Sequence, residues 1–226
     1  MNKGMYLMVH ALFLCVEKMK KCIVICALYE GEPIDIRKDD FVICADKGFE
    51  KALAAGIRPD AVIGDFDSSR LTPADVPADT LLTVLPWEKD DTDLGAAIKV
   101  GREKGYAHFE VYGALGGRLD HTMAAIQLSA DCAKRGESMR LISTDNTAEV
   151  FMPGSYTLPK EEGCYLSLFA YSPEVNGVTL RDTHWELENA VLDYTFPVGC
   201  SNQWEADAAQ LSFAEGMLLV MRCRKN

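Results

Sequence analysis

The sequence predicts two architectures in series: an N-terminal doubly wound, mostly parallel α/β domain, then a C-terminal antiparallel β-sandwich or barrel. Three observations carry this. Short apolar runs rich in β-branched residues alternate with helical periods from about residue 22 to residue 143, the grammar of a parallel sheet buried on both faces. After about residue 146 no helical period of useful length follows. Short alternating runs there are punctuated by Pro153-Gly154, Glu162-Gly163, Asn176-Gly177 and Val198-Gly199, which is the turn chemistry of an antiparallel half.

The first strand is expected over 22–28, because Cys22-Ile23-Val24-Ile25-Cys26 is continuously apolar and a strand covered on both faces does not alternate. Strands over 41–45, 61–64, 80–85, 108–112 and 139–143 complete the first sheet on the same signal. Helices are expected over 48–55, over 91–104 with Leu94, Ala97, Ile98 and Gly101 on one face, and over 118–135 with Leu119, Met123, Ile126 and Ala130 on one face. The expected organisation is an N-terminal extension over 1–18, an α/β domain over 19–146 and a β-sandwich domain over 147–226.

The chain has 226 residues, about one and a half times a typical domain of roughly 150 residues, so one large domain or two small ones fit. Its 23 basic and 34 acidic side chains leave a net charge of −11, so its mean field repels phosphate backbones and anionic lipid. Nucleic acid and membrane partners are therefore excluded from the expectation. An anionic ligand would need the carboxylates neutralised locally, most simply by a divalent cation. The 8 cysteines form no CxxC pair and sit mostly in apolar runs, which fits buried thiols of a reducing, cytoplasmic compartment better than a disulfide framework. Residues 5–16 form a largely apolar stretch, but it contains His10, lacks a small-x-small cleavage site and falls short of the roughly 20 apolar residues of a span.

Three acidic clusters share a structural address. Asp46 follows the strand over 41–45, Asp65 and Asp67 follow the strand over 61–64, and Asp90, Asp91 and Asp93 lead into the helix after the strand over 80–85. The C-terminal strand ends of an open α/β sheet form its ligand crevice, so these side chains converge there. Only Lys47, Lys89 and Arg70 lie near them in sequence, and bound Mg²⁺, a hard cation that shares its shell with substrate phosphates, relieves the repulsion. Each cluster also has a plainer reading as turn and helix-cap chemistry; recurrence at one sheet edge argues against it. A fourth element, Tyr112-Gly113-Ala114-Leu115-Gly116-Gly117-Arg118-Leu119-Asp120-His121, is a Gly-rich turn between strand and helix. Its backbone N–H groups and the Arg118 fork suit phosphate oxygens, while its spacing fits neither a dinucleotide nor a Walker fingerprint.

Ala45-Asp46, Gly64-Asp65-Phe66-Asp67-Ser68, Lys89-Asp90-Asp91-Thr92-Asp93 and Gly116-Gly117-Arg118-Leu119-Asp120-His121, in this order, resemble the thiamine pyrophosphokinase family. Ser201-Asn202-Gln203 after Pro197-Val198-Gly199 extends the resemblance over residues 22 to about 221. It implies a cytoplasmic homodimer with the site at the subunit boundary, taking ATP and thiamine and releasing thiamine diphosphate and AMP. By the same resemblance Asp65, Asp67 and Asp93 hold Mg²⁺, with Asp46 and Asp90 close by. Thr92, Gly116, Gly117, Arg118 and Asp120 position the nucleotide, and Ser201 and Asn202 the thiamine. Trp204 and Glu205 offer an aromatic face and an acid suited to a cationic thiazolium, whereas Trp87 and Trp185 are expected to serve as packing. One departure is Lys47, where family members commonly carry glycine. Rival functions for the same residues are a metal-dependent nucleotide-sugar transferase or phosphohydrolase, and a non-enzymatic nucleotide-binding module.

Overall fold

The computed structural model describes residues 19–66, 71–85 and 92–225. The extension over 1–18 and the expected site residues Asp67, Asp90 and Asp91 lie outside the described residues. Parallel strands β1 (Cys22–Ile25), β2 (Phe41–Ala45), β3 (Ala61–Gly64), β4 (Leu81–Val84), β5 (His108–Tyr112) and β6 (Ser138–Ile142) stand in the order β4-β3-β2-β1-β5-β6. Helix α1 (Gly48–Ala54) packs on one face of this sheet; α2 (Asp93–Glu103) and α3 (Leu119–Lys134) pack on the other. The strand order reverses direction between β1 and β5, and such a switch point is where an open α/β sheet receives its ligand.

The second half of the chain is antiparallel as expected, but its strands divide between two sheets. Strands β7 (Asn146–Phe151), β13 (Leu218–Arg224) and β9 (Cys164–Ala170) continue the first sheet antiparallel beyond β6, making nine strands. Only β8 (Gly154–Pro159), β10 (Glu174–Arg181), β11 (Leu187–Asp193) and β12 (Ala208–Phe213) form a second, four-stranded sheet. The two sheets close over Leu158, Leu166, Leu168, Val178, Leu180, Leu211 and Val220, which is a sandwich. Hydrogen bonding is continuous where the sequence changes its grammar, since Leu141 and Ile142 pair with Ala148 and Thr147 across the β6–β7 turn.

Local reasons decide most elements. Gly101 lets α2 lie against the sheet, because a Cβ there would stand 2.7 Å from the Phe109 ring and 2.9 Å from the Cys22 sulfur. Three details differ from the sequence reading. Asn176-Gly177 is not a turn but a bulge inside β10, where the register to β11 shifts and Gly177 has φ +72°. On α3 the buried face runs through Ala125, Ile126, Ser129, Ala130 and Ala133, while Leu119 and Met123 are exposed. The helix packs on β6 and β7 and its first turns overhang the strand ends, so periodicity persists where there is no sheet to cover. Cys22, Cys26, Cys44 and Cys132 are buried as expected, but Cys200 is exposed.

Candidate active site

The described carboxylates gather at the C-terminal edge of the parallel strands. Asp46 ends β2 in the left-handed region at φ +49°, and its backbone N–H donates to the Ile63 carbonyl at 2.8 Å, which fastens the β2 end to β3. Gly64 permits this approach: a Cβ on it would lie 3.1 Å from the Asp46 Cα. Asp65 follows directly, and Phe66 turns the chain at φ +59°. Asp93 opens α2, whose N-terminus is capped by Thr92; the Thr92 Oγ1 accepts from the Gly95 N–H at 3.0 Å. The expected nucleotide role of Thr92 therefore shares the residue with a structural one.

Cys26 lies just past β1. Its thiol is pushed up to about 12, first by burial, with the charges of Asp93 and Asp46 adding to it. The thiol stays protonated and offers neither a nucleophile nor a thiolate ligand. Lys47, where the resemblance leads one to expect glycine, has ordinary helical backbone at φ −56°. The glycine this turn requires is Gly48, since a Cβ there would stand 1.9 Å from the Ile25 carbonyl oxygen.

The Gly-rich turn is laced to the switch point. The Cys26 N–H donates to the Tyr112 carbonyl at 2.8 Å and the Leu28 N–H to the Gly113 carbonyl at 3.1 Å. A Cβ on Gly113 would meet the Tyr29 nitrogen at 2.1 Å. Gly116 and Gly117 have φ +101° and +60°, and Gly117 rests on Leu28. Arg118 and Asp120 are exposed and joined by a forked pair; the Arg118 guanidinium holds the Asp120 carboxyl below its usual range. His121 is exposed, its N–H donating to Asp120.

A second recess lies at the edge of the sandwich. A cavity of about 230 Å³ is lined by Leu168, Leu180, Trp185, Leu187, Val198, Gly199, Cys200 and Asn202. Ser201, at φ +62°, is exposed beside it, and its N–H donates to the Ser167 hydroxyl at 2.9 Å. Trp204 departs from the expectation of an open aromatic face. Its indole is buried in the sandwich core and donates to the Leu158 carbonyl at 3.0 Å; a residue at an inward position of the sandwich has no face left for a ligand. Glu205 bonds His184 Nδ1 at 2.9 Å. The aromatic surface comes from Trp185, 56% exposed, which was expected to pack. Its signal in the sequence is the polar run Asp182-Thr183-His184-Trp185-Glu186, an unusual setting for a core tryptophan. A larger cavity, about 810 Å³ beside Lys20, Arg37 and Tyr106, lies at the opposite strand ends and holds none of the expected residues.

As donors, Asp46, Asp65 and Asp93 are hard oxygen ligands, the type that suits Mg²⁺. Among the described residues no three acidic, histidine or cysteine side chains form a closed metal cage. Among the described residues no helix is long and apolar enough to cross a membrane.

A doubly wound sheet with carboxylates and a Gly-rich turn at its switch point, fused to a sandwich with an aromatic-walled recess, defines a two-substrate phosphoryl-type transferase. Residues 35–141 match the thiamin pyrophosphokinase catalytic domain and residues 155–218 its vitamin B1 binding domain. The chain is 34% identical over 186 residues to the thiamine pyrophosphokinase of Bacillus subtilis, covering 80% of this chain and 86% of that protein. The crystal structure of thiamine pyrophosphokinase from the same species superposes with a TM-score of 0.81 at 29% identity, over 92% of this chain and all of that one. That of Geobacillus thermodenitrificans superposes at 0.80 and 28%, over 92% and 99%. This chain belongs to the thiamin pyrophosphokinase family and is an enzyme with thiamine diphosphokinase activity.

Proposed function

We propose that the chain binds ATP at the C-terminal edge of the parallel sheet and thiamine in the recess of the sandwich, and transfers a pyrophosphoryl group to the thiamine hydroxyl, releasing AMP. The observation that carries this reading is that Asp46, Asp65 and the Thr92-capped Asp93 stand at the C-terminal ends of the parallel strands together with the Gly-rich turn. Asp65, Asp67 and Asp93 are the residues that would hold Mg²⁺, with Asp46 and Asp90 close by; when bound it would supply charge neutralisation to the substrate phosphates. Gly116 and Gly117 present backbone N–H groups to phosphate oxygens. Arg118 exchanges Asp120 for the phosphate on which charge builds as the bond to AMP breaks.

The thiamine hydroxyl oxygen attacks the β-phosphorus in line with the departing AMP oxygen. Asp93 or Asp120, both at the start of a helix on this edge, accepts the hydroxyl proton. Thr92 fixes the N-terminus of α2 and with it the Asp93 backbone. No covalent intermediate is required. On the thiamine side, Trp185 offers its indole to the cationic ring system and Ser201 a hydroxyl at the rim. The recess residues fall within the segment that matches a vitamin B1 binding domain.

The active unit is a homodimer with the site at the subunit boundary. Val191, Tyr194, Phe196 and Val198 are each more than half exposed, and Val198 lines the recess with Trp185; exposed apolar side chains at a recess are suited to burial at an interface. Sedimentation should give a dimer at assay concentration, and an active monomer would overturn the assembly. Incubation with ATP, Mg²⁺ and thiamine tests the reaction itself. AMP and thiamine diphosphate in equal amounts are expected, whereas ADP or free phosphate would point to a kinase of another type or a hydrolase.

A further inference from the structure

We propose that Asn202 is a positioning residue for the thiamine subsite, acting through the Trp185 backbone and not by touching the substrate. The proposal rests on the reading that thiamine occupies the Trp185 recess. Asn202 is buried, 6% exposed, and its side-chain amide is fully engaged. Oδ1 accepts from the Trp185 N–H at 3.0 Å and from the Gln203 N–H at 2.8 Å. Nδ2 donates to the Trp185 carbonyl at 2.7 Å and faces the Thr183 hydroxyl at 3.4 Å. A carboxamide has two donor hydrogens and room for two acceptor bonds, so these contacts use its whole capacity. Two N–H groups facing one end and a carbonyl facing the other also settle which end is oxygen.

The clamp is anchored on the far side. Asn202 N–H donates to the Leu166 carbonyl at 2.8 Å and the Leu166 N–H to the Asn202 carbonyl at 2.9 Å, which ties the clamp to β9 in the large sheet. The Thr183 hydroxyl donates to the Trp185 carbonyl at 3.2 Å. Both backbone groups of Trp185 are thus held by one buried side chain 17 residues away. The indole they carry is exposed at the cavity wall, with His184 edge-on at 4.6 Å between ring centroids. A half-exposed indole has little packing of its own to place it. The buried amide fixes the Trp185 backbone, and with it the point and direction from which the side chain leaves the chain, before the ligand arrives, which lowers the ordering cost of binding.

The test is a double-mutant cycle on thiamine kinetics, with melting temperature measured for each variant. Asn202→Ala should raise thiamine KM by about tenfold while kcat and ATP KM move less than about threefold. Thr183→Val removes one hydroxyl, leaves Asn202 in place and should shift thiamine KM in the same direction by a smaller factor; it carries the test if Asn202→Ala does not fold. In a Trp185→Ala background neither change should add more than about twofold, because the residue they act through is gone. If Trp185→Ala raises thiamine KM and Asn202→Ala multiplies it in full, Asn202 touches the substrate and the proposal is wrong. Wild-type thiamine KM in both single variants would overturn it as well. If Trp185→Ala itself leaves thiamine KM unchanged in an active enzyme, it is the location of thiamine that fails.

Discussion

Arg118 and Asp120 face each other at the start of α3 as a forked ion pair, Nε to Oδ1 at 3.2 Å and Nη2 to Oδ2 at 2.7 Å. Both side chains are exposed, so the pair adds little to stability; it holds the planar guanidinium in one orientation at the start of α3. Arg118→Lys keeps the charge and loses the fork. We expect a fall in kcat larger than any change in thiamine KM, a deeper fall in Arg118→Ala, and an unchanged melting temperature in both. Wild-type turnover in both variants would leave the pair a surface ornament.

Asp65→Asn and Asp67→Asn should each abolish turnover without lowering stability, since removing one of several converging charges relieves repulsion. Chelation of Mg²⁺ should stop the wild-type reaction, and added Mg²⁺ should restore it. Variants that turn over normally, with the same Mg²⁺ dependence, would reduce the cluster to turn and cap chemistry.

The β2–α1 turn separates two neighbouring positions. Gly48→Ala should destabilise the protein by about 3 kcal/mol or more, because the new methyl group meets backbone that cannot withdraw; it would stand 1.9 Å from the Ile25 carbonyl oxygen. Lys47→Gly should cost under about 1 kcal/mol, the loss expected of glycine at an ordinary helix start. Denaturant midpoints compare the two directly. Equal losses would mean that the close approach at Gly48 is relaxed by a backbone shift.

Glu149 sits in a cross-strand row with Arg140 on β6 and Glu110 on β5. Burial raises its carboxyl above the usual range; Arg140 and Arg222 oppose this and Glu110 adds to it. The folded protein therefore holds this proton more tightly than the unfolded chain. The stabilising contribution of the protonated form is complete below about pH 4.3, the ordinary glutamate value, and is lost as pH rises through the folded value. Glu149→Gln keeps the neutral shape. Its stability relative to wild type should be flat in acid and grow towards neutrality, read from urea midpoints across that range. Parallel curves would show that the two arginines hold Glu149 ionised.

The amino-acid order alone determined the strand runs of the first sheet, because a strand buried on both faces must be continuously apolar and its ends must turn. Phe41–Ala45, Ala61–Gly64 and His108–Tyr112 begin and end where composition changes. The same logic located Asp46, Asp65 and Asp93 at strand and helix ends, and the Gly-rich turn between β5 and α3. Tertiary structure decided what depends on partners distant in sequence. That β7, β13 and β9 continue the first sheet is a matter of pairing, and local alternation is blind to which edge a strand will join. Trp204 and Trp185 exchanged their expected places for a related reason. Each lies in a short polar stretch, and only the closing of the second sheet turns the Trp204 indole inward to the Leu158 carbonyl. The Asn202 amide, reaching across 17 residues to the Trp185 backbone, leaves the other indole at the surface.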